Sequence, residues 1–358
     1  MSAPPLSVSV VVPVHNGGAA FGACVAALAH SLSPGDELVV VADGETDGVW
    51  RDLPGTEAAV QTVARTDSGG PAAARNDGAR AASGDVLFFV DADVVVPESA
   101  VDHVRERFAA DLEVAALVGS YDAHPAAPSF LSQYRNLLHH YTHQTANPAT
   151  FTTFWTGCGA VRRSTFLRLG GFDEGYGVPC VEDIEFGYRL AEAGERVVLD
   201  SSLQVTHLKA WGASDMVRTD TLKRAAPWAE LLLRRGSVEN SLNVDRKSRA
   251  SLVAIGLIAS APMLALVSPA VALGVAVGAV GLFGVLNGSF YRYLWGIRGL
   301  GFALRAVPWH AVYYVCASLG FGIGASRHLT LSRTAAARSA ERPPLLPERR
   351  LAPREVQA

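Results

Sequence analysis

The chain of 358 residues has only four cysteines, Cys24, Cys158, Cys180 and Cys316, and no two stand in the Cys-x-x-Cys spacing of a zinc site. Free thiols are therefore expected. No Gly-Lys pair closes a phosphate loop, and no Gly-x-Gly-x-x-Gly follows the first apolar run, which argues against an ATPase and a nicotinamide dehydrogenase. That first run opens within ten residues and is too short to be the core of a secretory leader plus its cleavage site, so the first half of the chain is expected to stay in the cytoplasm. Internal repeats are absent. Charge, too, is missing from residues 250–286, where only Ser, Gly, Pro and Asn-free apolar runs occur.

What charge there is divides unevenly. Residues 1–215 carry 13 Lys and Arg against 27 Asp and Glu, a net of −14, whereas residues 216–358 carry 18 against 7, a net of +11. Such an asymmetry predicts an acidic part that works in solution and a basic part that meets anionic lipid. Nucleic acid is not the expected partner, because the basic residues alternate with long apolar stretches. The uncharged segment exceeds one crossing of a ~30 Å hydrocarbon core at about 1.5 Å per residue, so a hairpin over residues 250–287, turning at Pro269, is predicted. A single span kinked at Pro262 or Pro269 is the alternative. Residues 289–303 mix aromatics with arginines as an interfacial helix does. Residues 307–325 form a further span or an interfacial segment, so the number of crossings stays open. Residues 216–249 read as a basic amphipathic collar or linker, either lying on the bilayer or packed on the first domain. Residues 329–358, rich in Arg, Pro and Ala, read as a disordered tail.

The acidic half ends its apolar runs in polar loops. Phe88-Phe89-Val90-Asp91-Ala92-Asp93 is an apolar strand closing on two carboxylates one residue apart, which in an extended segment point the same way. Oxygen ligands of this kind suit Mg2+ or Mn2+ bridging the phosphates of a nucleotide. An earlier strand ends in Pro13-Val14-His15-Asn16, a second in Asp43-Gly44, and Arg75-Asn76 lies at the start of a small-residue helix. Runs without polar alternation predict central strands of a parallel sheet, whose ligands bind beyond the carboxyl ends.

In this order the motifs resemble those of the family 2 glycosyltransferases, over roughly residues 7–211. The resemblance implies an α/β GT-A catalytic domain over residues 1–215, Rossmann-like and with a mostly parallel sheet, followed by an α-helical membrane region. It implies a donor site of Pro13, Asn16, Asp43 as partner of the base, Arg75 near the diphosphate, Asp91 at the ribose or sugar, and Lys209. It also implies a metal held by Asp93, His207 and Asp91. Where the family has two acidic residues before the glycine, this chain has Ala42-Asp43. Glu182-Asp183 opens a helix, where acidic residues also serve the helix dipole; on the resemblance Asp183 is the catalytic base and Glu182 orients it or the acceptor. Trp155, Gly157, Cys158, Gly159 and Trp211 fall in the acceptor region. The glycines give room for a sugar or mark a bulge, and Trp211 is a platform or core packing.

The expected function is transfer of a sugar, with inversion, from a nucleotide diphosphate donor, UDP before GDP, to the hydroxyl of a lipid-linked or glycan acceptor. The Gln-x-x-Arg-Trp signature of processive synthases is absent, so one or a few sugars are added. The expected location is the cytoplasmic membrane, with membrane lipids as partners and the catalytic domain facing the cytoplasm. A nucleotidyltransferase of the same fold and a catalytically silent membrane scaffold are the competing readings.

Overall fold

The computed structural model describes residues 5–148, 151–237 and 244–340, with side chains to residue 330. An eight-stranded sheet runs in the order β3-β2-β1-β4-β7-β6-β8-β5. Strands β1 (Val8–Val14), β2 (Glu37–Asp43), β3 (Ala59–Arg65) and β4 (Val86–Val90) are parallel, and β7 (Cys158–Arg162) is antiparallel to both β4 and β6 (Val114–Tyr121). Beyond them β8 (Arg196–His207) runs parallel to β6 and pairs antiparallel with the two-residue β5 (Val94–Val95). The sequence Val86-Leu87-Phe88-Phe89-Val90 is wholly buried, as expected for a strand covered on both faces.

Side-chain alternation sends neighbouring residues into different layers. Val10, Val12 and Phe88 pack on one face with Phe21 and Leu28 of α1 (Gly18–Ser31) and Phe108 of α3 (Ala100–Ala110). Val11 and Phe89 pack on the other with Ala74 of α2 (Gly70–Ala81), Phe166 of α5 (Arg163–Arg168), Phe172, and Phe186 of α6 (Glu182–Glu192). Each of these Val, Leu and Phe side chains contributes about 1.5–3 kcal/mol by leaving water, which fixes the strand ends where the polar loops begin. Helix α4 (Phe130–Thr145) packs against β6 and β8.

After β8 come α7 (Ala213–Arg218), a π-helical turn (Thr219–Ala225) and α8 (Ala226–Arg235), then three long helices, α9 (Arg246–Ala265), α10 (Pro269–Arg298) and α11 (Leu300–Ala340). Arg246–Ala265, Pro269–Arg298 and Leu300–Thr330 are each long and apolar enough to cross a membrane. The expected turn before Pro269 is present, with Ser268 capping α10. The expected separate interfacial helix over 289–303 is not. Residues 289–298 continue α10, and the break comes at Gly299, whose φ of 83° lies in the left-handed region. The expected tail begins within α11, and residues 341–358 lie outside the described residues.

The basic segment 216–235 is packed between the sheet domain and α11. Trp228 Nε1 donates to the Tyr188 hydroxyl at 3.0 Å, and Arg235 pairs with Glu192. Its other side meets Gly320 and Gly324, one turn apart on α11. A Cβ at Gly320 would lie 2.8 Å from the Thr221 carbonyl oxygen, and one at Gly324 2.3 Å from that of Ala226. Small residues let the two backbones approach closely. Gly320→Val is expected to cost about 1–3 kcal/mol through overpacking and to lower the thermal midpoint of the detergent-solubilised chain. Within the long helices, Asn287 ties α10 to α9 by donating to Ser251 Oγ at 3.1 Å.

Candidate active site

Two clefts meet at the carboxyl ends of β1, β2 and β4. The larger, about 730 Å³, is lined by Pro13, Asn16, Asp43, Arg75, Asp91, Asp93 and Lys209, which places all the expected donor residues around one space. The second, about 260 Å³, shares Arg75, Asp91, Asp93 and Lys209 and continues to Trp155, Glu182, Asp183, His207 and Trp211.

The wall of the larger cleft is built by loops that hold one another. Asp43 accepts from Gly69 N at 2.8 Å, Gly70 N at 3.0 Å and Ser68 Oγ at 2.9 Å, and pairs with Arg65 Nε at 2.9 Å. Its lone-pair directions are thereby occupied by its own chain, and it anchors the entry to α2. Gly70 has a φ of +83°, and a Cβ there would lie 2.5 Å from the Gly177 carbonyl oxygen, so this glycine lets the segment before α6 close over the helix start. Asn16 Oδ1 accepts from the Thr46 backbone at 3.0 Å, locking the β1 loop to the β2 loop.

Arg75 is the hinge between the clefts. Only 5 % exposed, it donates from Nη2 to Asp91 Oδ1 at 2.7 Å and from Nη1 to Glu182 Oε1 at 3.0 Å. Burial lowers its pKa, but Asp91, Glu182 and Asp183 together outweigh burial and raise it above the ordinary arginine value. Asp183 sits in the first turn of α6, where Oδ2 accepts from Thr156 N at 3.3 Å and Oδ1 from Ile184 N at 2.8 Å. Burial, then the charge of Glu182, pushes its carboxyl up to about 7, against the opposing pull of Arg75. A carboxylate with that value can take a proton near neutral pH.

The pairing of β5 with β8 sets Val94 opposite His207. It brings Asp93 Oδ2 to 3.5 Å from His207 Nε2. Burial raises the Asp93 pKa, but His207 and Lys209 overcome it and hold the carboxyl below its ordinary value. Asp91, expected to join them, is turned to Arg75, and among the described residues no three His, Cys, Asp or Glu side chains converge as a closed metal cage. Two side chains on an open cleft fit a hard cation that takes its other ligands from phosphates and water.

In the acceptor region Trp155 and Trp211 line the second cleft. Gly157, Cys158 and Gly159 do not reach it: all three are buried at or inside β7, and a Cβ at Gly157 or Gly159 would lie 2.3 Å from the ring or carbonyl oxygen of Trp155. The glycines make room for Trp155 to turn toward the cleft. Tyr121, Arg135, His139 and Arg224 also line it and were not singled out by sequence. Tyr121 stacks on His207 with ring centroids 4.4 Å apart and lies 4.5 Å from His139. The signal available was the repeat of His139 and His143 on one face of α4.

A Rossmann-like, mostly parallel sheet carrying this chemistry at its strand ends is a GT-A glycosyltransferase domain. Residues 9–170 match the model described as Glycosyl transferase family 2. The chain is 29 % identical over 214 residues to the pre-mycofactocin glycosyltransferase of Mycobacterium tuberculosis, covering 56 % of this chain and 42 % of that protein. It is 31 % identical over 218 residues to the validoxylamine A glucosyltransferase of Streptomyces hygroscopicus subsp. limoneus, covering 52 % of this chain and 48 % of that protein. The chain thus spans about half the length of these relatives. Among solved structures, a mannosyltransferase from Pyrobaculum calidifontis in complex with GDP-Man and Mn2+ aligns with a TM-score of 0.47 at 18 % identity, covering 91 % of this chain and 88 % of that one.

Proposed function

We propose that the protein is a membrane-attached glycosyltransferase that moves a sugar from a nucleotide diphosphate donor, UDP-linked before GDP-linked, to an acceptor hydroxyl with inversion. The observation that carries this reading is the junction of two clefts at Arg75, with Asp91 and Asp93 on one side and Asp183 on the other. The donor would lie in the larger cleft with its base against the loop that Asp43 anchors and its diphosphate toward Asp93, His207 and Lys209. A divalent ion held by Asp93 and His207 would supply positive charge to the departing diphosphate. Asp183 would take the proton of the acceptor hydroxyl as its oxygen bonds to the anomeric carbon from the side opposite the breaking bond. Trp155 and Trp211 would hold the acceptor ring. Glu182, fixed by Arg75 and by the Cys180 amide at 2.9 Å, keeps Asp183 aimed and its pKa high.

The three apolar helices support attachment to a membrane; in this reading it is the cytoplasmic membrane, with the sheet domain on the cytoplasmic side and a lipid-linked or glycan acceptor. The test is transfer from radiolabelled UDP- and GDP-sugars with Mg2+ or Mn2+ and membrane lipids. Label carried into the organic phase, with release of nucleotide diphosphate, is the expected result. Release of inorganic pyrophosphate would make the protein a nucleotidyltransferase instead.

A further inference from the structure

Adjoining the second cleft at Asp183 is a cavity of about 140 Å³ between α4, α6 and α8, which shares Arg135, His139, Trp155 and Arg224 with the cleft and reaches Trp228 and Tyr313. Next to it a slot of about 100 Å³ has Asp220 and Arg224 at one side and Trp228, Leu252, Tyr313, Ala317 and Phe321 at the other, and is therefore flanked by the apolar helices α9 and α11. Arg224 lines all three spaces. The passage is polar where it meets the base and apolar where it meets the long helices.

Arg224 is the anomaly in this passage. Its neighbour Arg135 is neutralised by Asp220, with Nη2 2.6 Å from Oδ1. Arg224 makes no hydrogen bond or ion pair among the described residues, and Lys223 beside it makes none either. Burial, then repulsion from Arg135, pushes Arg224 below the ordinary arginine value, and Asp220 offsets only part of this. A desolvated cation that forms no ion pair of its own, with Asp220 engaged by Arg135, is costly, and a guanidinium facing a cavity is suited to the oxygens of a phosphate.

We propose that this passage binds an amphiphilic acceptor, a lipid whose phosphate or diphosphate is clasped by Arg224 and Lys223, with its hydrocarbon in the apolar slot and a hydroxyl-bearing head at Asp183. The proposal rests on Asp183 being the transfer base and names the acceptor class for that same site. The balance is that of a simple displacement. The head-group O–H gives its proton to Asp183, its oxygen bonds to the anomeric carbon, the bond from that carbon to the donor phosphate oxygen breaks, and nucleotide diphosphate leaves. The lipid phosphate is a handle and is not consumed.

The test uses the full chain in phosphatidylcholine nanodiscs, with binding of tritiated geranylgeranyl phosphate, tritiated geranylgeraniol and glucose 1-phosphate measured separately. The phosphate lipid is expected to bind at least tenfold tighter than the alcohol. Arg224→Ala should erase that preference, Arg224→Lys should keep part of it, and Ala317→Trp, which fills the slot, should weaken the phosphate lipid while leaving glucose 1-phosphate alone. UDP affinity, measured on each variant, reports whether the sheet domain is folded. If Arg224→Ala loses UDP binding as well, Arg224→Lys decides: a retained preference supports the site, and a lost one in a folded variant overturns it. Equal binding of phosphate and alcohol by the native chain overturns the proposal, as does glucose 1-phosphate binding as tightly as the lipid, which would assign the cations to a soluble phosphate. Failure of the native chain to bind UDP would instead strike the donor reading and leave the lipid result standing.

Discussion

Asp183→Asn is expected to lower kcat about 10²–10⁴-fold while the affinity for the nucleotide-sugar stays within a factor of two or three. That range is what a positioned general base contributes, and the amide keeps the size and the Thr156 contact of the carboxylate but cannot take the proton. The pH profile supplies an independent check. Burial and Glu182 push Asp183 up to about 7, and only the ionised form accepts a proton. The native rate should therefore rise from pH 6, where roughly a tenth of the groups are ionised, to a plateau above pH 8, and the asparagine variant should lack this rise. Full turnover in the variant, or an acid limb centred near the ordinary aspartate value, would remove Asp183 from the chemistry.

Asp93→Ala is expected to weaken Mn2+-dependent binding of UDP by about 100-fold or more, since even residues that only support a metal ligand are worth about 10–100-fold. His207→Ala should do less, because a cleft that keeps a carboxylate still attracts a hard cation. Calorimetric titration of UDP with and without Mn2+ separates the two contributions. Metal-dependent binding that survives intact in Asp93→Ala would place the ion elsewhere.

The donor side was legible because its chemistry is local in the chain. Each strand delivers its own loop, and the resemblance of those loops to the family 2 motifs is what put Pro13, Asn16 and Asp91 at one donor site; the structure sets them around one cleft. Asp183 stood out only through the same resemblance, because acidic residues at the opening of a helix equally serve its dipole; the structure sets it on the second cleft. The deep side was not, because Arg135 and His139 come from the middle of α4 and Arg224 from a turn without a motif, and only packing against α11 brings them together. Gly157 and Gly159 misled, since a missing Cβ shows that something lies close without saying what; here it is Trp155. The boundary at residue 289 was misplaced because aromatics and arginines describe an environment, whereas the helix ends only where Gly299 leaves the right-handed region. Asp91, expected at the metal, has its Oδ1 turned to the buried Arg75 guanidinium at 2.7 Å, a contact that sequence order does not reveal.

One guanidinium grips both Asp91 and Glu182, so under the proposed function occupancy of either compartment would be felt in the other. A diphosphate that drew Arg75 away from Asp91 would slacken its hold on Glu182 and retune the proton affinity next door. Thermodynamic reciprocity would then require a seated acceptor to alter nucleotide affinity by the same factor, the two guests negotiating through a single side chain before any bond is made.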